Sequence, residues 1–200
     1  MFGSYTVDSL VRTGIGNIVL IDKAIIDISN VNTNLMADTK VVGKYKVDIA
    51  KKRLLNINPN LNIKIIKEYV SKDNVQKILT DDVDYIVDTV DTISDKVELI
   101  SEAYNKKIPV ISSMGTGDKF DPTQFEIADI SKITDNSYVS VLKSELKARK
   151  INRLKVIYSK EKPARFRSKD DYSNISKTNF VPSVAGIIIA SEVVKDLVKA

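Results

Sequence analysis

Short apolar runs and stretches of helical period alternate along this chain, and that alternation narrows the fold more than any single motif does. Asn17 to Ile21 reads as a strand, and Leu61 to Ile66 as the next one. Between them, Lys44 to Ile57 carries Val47, Ala50, Leu54 and Ile57 at helical spacing, and Asn58-Pro59-Asn60 stops the helix because the residue before a proline is pushed out of helical space. The pattern repeats downstream: a short helix over Asp73 to Leu79, a buried strand over Tyr85 to Val87, a helix with Val97, Ile100 and Tyr104 inward, and a strand over Ile108 to Ile111. Parallel strands need crossover connections, and a helix is the usual one. The order therefore predicts an α/β fold with a mostly parallel, doubly wound sheet and helices on both faces.

The flanking segments are less regular. Ser4 to Thr13 reads as a helix with Val7, Leu10 and Val11 on one face and Gly14 ending it. Ala24 to Lys40 has few helical signals and reads as a long functional loop. After Gly117, Phe125 and Ile127 alternate with Gln124 and Glu126 as in a half-exposed strand; Val139 to Arg149 reads as a helix and Leu154 to Tyr158 as a strand. Lys160 to Lys177 is a polar, lysine- and arginine-rich loop, and Val184 to Val198 is a helix apolar most of the way round, as in a core or a dimer interface. At 200 residues and 43% hydrophobic, one domain over 1–200 is expected, with 119–200 as its carboxyl-terminal half. No run approaches the ~18 apolar residues that span a bilayer, and Met1 to Leu10 lacks the basic start and apolar block of a signal peptide. A cytoplasmic protein is expected.

Composition removes whole classes of chemistry. The chain has no cysteine and no histidine, so it has no disulfide, no thioester relay, no thiolate metal site and no His-based triad. What remains is positioning, lysine and arginine, and carboxylates that hold a hard cation such as Mg²⁺. The formal charge of +5 permits a nucleic-acid partner without requiring one.

Three features suggest a nucleotide. Asp22 ends an apolar strand, where an acid is placed to accept hydrogen bonds from ribose hydroxyls; as a bland alternative it caps a loop. Lys46 follows Gly43 at the entry to a helix, within reach of phosphate, although Lys44, Lys51 and Lys52 show that a solvated lysine fits there too. Asp91 stands just past the carboxyl end of a strand, in the crevice where open α/β sheets bind ligands, and a carboxylate there can hold Mg²⁺ against triphosphate oxygens. Asp88 ranks below it, as a loop cap.

Taken together, Leu20-Ile21-Asp22, Asp27-Ile28-Ser29-Asn30-Val31-Asn32, Gly43-x-x-Lys46 and Asp88-Thr89-Val90-Asp91 resemble the nucleotide-binding core of the superfamily that activates ubiquitin-like proteins, sulfur carriers and related carboxylates by adenylation. Ile111-Ser112-Ser113-Met114-Gly115-Thr116-Gly117 with Phe120-Asp121-Pro122-Thr123 is similar to the branch that contains tRNA threonylcarbamoyladenosine dehydratases. The resemblance implies a Rossmann-like fold, ATP and Mg²⁺ as cofactors, Asp91 as the metal and catalytic aspartate, and Lys46 as a catalytic contact to the phosphates. Gly3, Asp22, Asn30 and Asn32 complete the implied nucleotide site, Gly3 as the last glycine of a G-x-G-G-x-G loop. It also implies a tRNA substrate, a homodimer and a sulfur-transfer or electron-transfer partner. The first strand and most of the glycine loop of that pattern are absent, so a late start or a fragment is expected. Where the family continues Asn-Arg-Gln, this chain reads Asn32-Thr33-Asn34, and a neutral threonine cannot replace a guanidinium. Two other readings stay open: a degenerate relative that binds a partner or RNA without catalysis, and a nicotinamide-dependent oxidoreductase. Asp22 alone fits the latter, and Asp91 with Lys46 speaks against it.

Overall fold

The structure is a computed structural model and describes residues 2–115, 119–134, 136–162 and 178–199. The elements run α1 Phe2–Arg12, β1 Asn17–Ile21, α2 Lys46–Ile57, β2 Asn62–Ile66, α3 Val75–Ile78, β3 Ile86–Asp88, α4 Ile93–Asn105, β4 Val110–Ser113, β5 Phe125–Asp129, α5 Ser137–Ala148, β6 Lys155–Ser159 and α6 Phe180–Lys199. They divide into two compact units. Residues 2–69, 119–122, 162 and 178–199 form the first, and 70–115, 123–134 and 136–161 the second.

In the first unit β1 and β2 pair in parallel, Asn17 opposite Asn62 and Ile21 opposite Ile66. Ile18 and Leu20, two apart and so on one face of the strand, pack with Ile63 against Val7 and Val11 of α1 and Ala50 and Leu54 of α2. Leu54 is fully buried, and burial of such a side chain is worth about 1.5–3 kcal/mol. Helix α1 ends as its sequence predicts: Gly14 takes φ +100°, and the Ile15 N–H reaches back to the Leu10 carbonyl at 3.1 Å. Asp8, 6% exposed, accepts from Arg12 Nε at 2.7 Å and from Arg53 Nε at 2.8 Å, which ties α1 to α2.

Helix α6 lies against α1 unusually closely. Thr6 Oγ1 donates to the Gly186 carbonyl at 3.0 Å, and Tyr5 Oη to Asn179 Oδ1 at 2.8 Å. A Cβ added at Gly186 would stand 2.7 Å from Tyr5 Cβ and 2.9 Å from the Phe2 carbonyl oxygen. Neither neighbour is the free end of a flexible side chain, so the two helices must part. Gly186→Ala is expected to cost about 1–3 kcal/mol, read as a lowered urea midpoint with an unchanged slope.

In the second unit the strand order is β3-β4-β6-β5. The first three run parallel; β5, the strand marked by alternation, is an antiparallel edge on β6. This is an α/β architecture dominated by parallel strands, as the alternation predicts. Val97, Ile100, Val139, Leu142, Leu146 and Val156 belong to its core cluster.

Several expectations need correction. Tyr104 points outward, 57% exposed, and Ala103 is the buried residue; the apolar stripe of α4 continues at i+3 from Ile100, where a small side chain fits the packing. Helix α2 starts at Lys46 rather than Lys44, because Gly43 and Lys44 pair with Ile26. Gly3 lies in the first turn of α1 and not in a loop. Asp88 is the last residue of β3 rather than a loop residue. The tract Lys160 to Lys177 lies outside the described residues from 163 onward, as does Gly117.

Candidate nucleotide site

Candidate side chains lie in both units. In the first, the chain leaving β1 is fastened to the start of α2. Ile26 N–H donates to the Lys44 carbonyl and Gly43 N–H to the Ile26 carbonyl, each at 2.8 Å. Gly43 sits at φ +84°, a conformation that costs a glycine little and other residues more. Asp22 Oδ1 accepts the Ala24 N–H at 2.7 Å, and the Ala24 carbonyl accepts the Lys46 N–H at 3.0 Å. One residue thus couples the strand-end acid to the first residue of the helix. The loop-capping role of Asp22 is real and occupies one oxygen. Lys46 is half-buried, and its ammonium joins no ion pair among the described residues.

Asn30 is engaged locally: its Oδ1 accepts the Asp27 N–H at 3.2 Å in a reciprocal cap, with Asp27 Oδ1 accepting the Ser29 N–H at 2.8 Å. Asn32 is exposed and makes no side-chain hydrogen bond among the described residues. Thr33, where the family pattern has arginine, is 2% exposed. The segment that follows is pinned to the amino end of α1, where Ser4 Oγ accepts the Leu35 N–H at 3.2 Å. Gly3 therefore stands one residue from the Asn30 to Met36 loop's anchor, at a helix N-terminus whose partial positive charge favours an anion.

In the second unit Asp91 is exposed, and its carboxylate has neither a hydrogen bond nor an ion pair among the described residues. Its carbonyl accepts from Tyr138 Oη at 3.3 Å. Burial, with smaller contributions from the charges of Asp88 and Asp91, pushes the Tyr138 phenol up to about 12. The folded protein thus holds that proton more tightly than the unfolded chain, whose tyrosines titrate near 10. The associated stability is complete below pH 10 and is lost as the pH rises towards 12. A spectrophotometric tyrosine titration of Tyr138→Phe should lack the latest-ionising group of the parent chain, while Tyr5 and Tyr158, also shifted upward, remain.

Asp88 is not the simple cap its position suggests. With Lys96 and Ser112 it forms a fully buried cluster, each residue 0% exposed. Lys96 Nζ donates to Asp88 Oδ2 at 2.7 Å and to Ser112 Oγ at 3.1 Å, and Ser112 Oγ donates to the same Oδ2 at 2.5 Å. The second oxygen of Asp88 accepts the Val90 N–H at 2.9 Å. Lys96 escapes a motif search, yet it carries a signal: it occupies the i+3 position in the apolar stripe Ile93, Val97 and Ile100, where an unpaired lysine would be costly. Gly115, at φ +83°, closes the segment after β4.

A parallel α/β chain with an acid at one strand end, a glycine-lysine helix entry and a free carboxylate past another strand end is in the class of nucleotide-binding α/β proteins. The chain belongs to the ThiF family, whose family model matches residues 1–200. It is 38% identical to the tRNA threonylcarbamoyladenosine dehydratase of Bacillus subtilis, over 98% of this chain and 83% of that protein. It is 36% identical to the Haemophilus influenzae enzyme of the same name, over 72% of this chain and 56% of that one. Among solved structures, Escherichia coli TcdA, a tRNA N6-threonylcarbamoyladenosine dehydratase, in complex with AMP matches with a TM-score of 0.90 at 26% identity, covering 99% of this chain and 82% of that one. The same enzyme in complex with ATP matches at 0.89. No helix among the described residues is long and apolar enough to cross a membrane.

Proposed function

We propose that this chain is an ATP-dependent tRNA threonylcarbamoyladenosine dehydratase, with residues 1–200 acting as one adenylating domain. The observation that carries this reading is the 38% identity to the Bacillus enzyme across nearly the whole chain; the resemblance to nucleotide-bound TcdA supports it.

In this reaction the threonine carboxylate of the modified nucleoside attacks the α-phosphorus of ATP. A carboxyl oxygen–phosphorus bond forms, the α–β phosphoanhydride breaks, and pyrophosphate leaves. The neighbouring carbamoyl group then attacks the activated carbonyl and releases AMP as the ring closes, for the net loss of one water from the tRNA. The second step is intramolecular, so proximity supplies much of its rate without a protein nucleophile. That suits a chain with neither cysteine nor histidine.

Asp22 keeps one carboxylate oxygen for the ribose; Asn30, Asn32 and Gly3 border the phosphates; Lys46 offsets the charge that develops on the leaving pyrophosphate. Asp91 fits a Mg²⁺ ion: it is exposed and unpaired, and a hard octahedral cation on a triphosphate needs only one or two protein carboxylates. The ion, when bound, shields the phosphate charge. Lys40 and Lys44, exposed lysines of the same connection with no ion pair among the described residues, supply the cationic charge that Thr33 does not.

The tRNA is the substrate partner, and a tRNA-modifying role supports a cytoplasmic location. Phe180, Ile187 and Val198 of α6 are exposed, at 48%, 52% and 81%, and they provide the apolar surface for a homodimer. A sulfur-transfer or electron-transfer protein is the further partner the family implies.

Adding ATP, magnesium and threonylcarbamoyladenosine-containing tRNA should release pyrophosphate and AMP, and tRNA without the modification should not. The buried neutral Thr33 favours one second reading, a family member that binds nucleotide without turning it over. ATP binding with no pyrophosphate from either tRNA would establish that reading instead.

A further inference from the structure

We infer that the buried Lys96–Asp88–Ser112 cluster is a positioning device for Asp91, which makes Lys96 and Ser112 positioning residues for the metal–triphosphate carboxylate. This rests on the assignment of Asp91 made above.

Stability alone does not account for such a cluster. Removing a lysine, a carboxylate and a hydroxyl from water costs several kcal/mol per ion, and apolar residues of the same volume usually hold a core at least as well. Its location is the informative part. Asp88 and Ser112 lie opposite each other in the β3–β4 register, at the carboxyl ends of parallel strands, and Lys96 comes from the first turns of α4. Asp88 and Lys96 flank in sequence the β3–α4 turn that carries Asp91, and they bond to each other and to Ser112.

The hydrogen bonds specify the shape of that turn. Asp88 Oδ2 is fixed by two donors, Lys96 Nζ and Ser112 Oγ, which sets the plane of the carboxylate. The other oxygen is thereby aimed at the Val90 N–H, one residue before Asp91. The turn is held again at Asp91 itself, through its carbonyl and Tyr138 Oη, and at Thr92, whose Oγ1 donates to Asp95 Oδ2 at 2.5 Å. Asp88, the Asp91 carbonyl and Thr92 are thus committed, while the Asp91 carboxylate has no hydrogen bond or ion pair among the described residues. Lys96 also offsets the charge of Asp88, so that Asp91 does not face an uncompensated carboxylate three residues away. Asp88 has all its donors and no exposed surface, so it cannot ligate anything itself: the D-x-x-D pattern divides into one buried anchor and one exposed ligand.

The test is calorimetric and does not depend on turnover. The dissociation constant of ATP is measured for the full chain with magnesium and again with EDTA, and the ratio of the two is the metal enhancement. Lys96→Met/Asp88→Asn removes both charges while keeping an oxygen for Val90; Ser112→Ala removes one hydroxyl and leaves the ion pair. Both are expected to lower the metal enhancement, the double variant by about tenfold, with the EDTA value unchanged to within about twofold. A brace with no positioning role would shift the thermal midpoint and leave the ratio intact, and that result in either folded variant overturns the inference. Asp91→Ala separates the two levels. If it abolishes the enhancement while the cluster variants do not, only the positioning role fails; if it leaves the enhancement untouched, the metal assignment and the positioning role both fall.

Discussion

Asp91→Ala should lower the rate of adenylate formation by about a hundredfold or more while leaving the fold intact. Removal of one preorganised group that stabilises transition-state charge typically costs that much, and the side chain has no hydrogen bond or ion pair among the described residues that its loss would break. Exposed positions of this kind change stability by about 0.5 kcal/mol or less. Rapid-quench measurement of pyrophosphate formation, paired with a urea melt, separates the two effects. Lys46→Ala should show the same division to a smaller degree, because Lys46 is half-buried at the start of α2 and its truncation also removes buried side-chain surface.

The opposite profile is expected at Lys96. Lys96→Ala leaves Asp88 as a fully buried carboxylate without its cation, a change that costs about 3–5 kcal/mol. That is a large fraction of the roughly 5–15 kcal/mol that holds a typical domain together. Replacing both partners with Lys96→Met/Asp88→Leu should restore much of the loss, since no charge is then stranded. Recovery in the double variant, measured by denaturant unfolding, would identify the desolvated charge as the source of the damage. No recovery would point to packing around the lysine stem instead.

The parts of this molecule legible in the sequence are those encoded by local pattern. Strand β1 spans Asn17–Ile21 as its Ile-Val-Leu-Ile run predicts, and Gly14 ends α1 through its positive φ. The antiparallel edge strand β5 is visible because its residues alternate, whereas the parallel strands β3 and β4 are displaced by a residue or two. Continuous apolar runs carry no phase, so the shift moved Asp88 from a loop into a buried strand end.

What escaped the sequence is long-range pairing. Nothing local announces that Thr6 will bond to the Gly186 carbonyl, or that Gly186 is a glycine because α1 passes against it. The Lys96 cluster joins residues from three elements, and only the lysine's place in an apolar stripe betrays it. Of the candidate nucleotide residues, Asp22, Asn30 and Lys46 stand out through motif spacing, yet Asp22 and Asn30 also serve their own turns. A motif reports that a residue is needed and does not say for how many purposes.

The most direct test of the central claim is the mass of the modified nucleoside after the full chain is incubated with ATP, magnesium and threonylcarbamoyladenosine-containing tRNA. Digestion of that tRNA to nucleosides should yield a product lighter by one water, formed only with ATP and in step with AMP. An unchanged nucleoside mass, from a chain shown to be folded and to bind ATP, would contradict the dehydratase account.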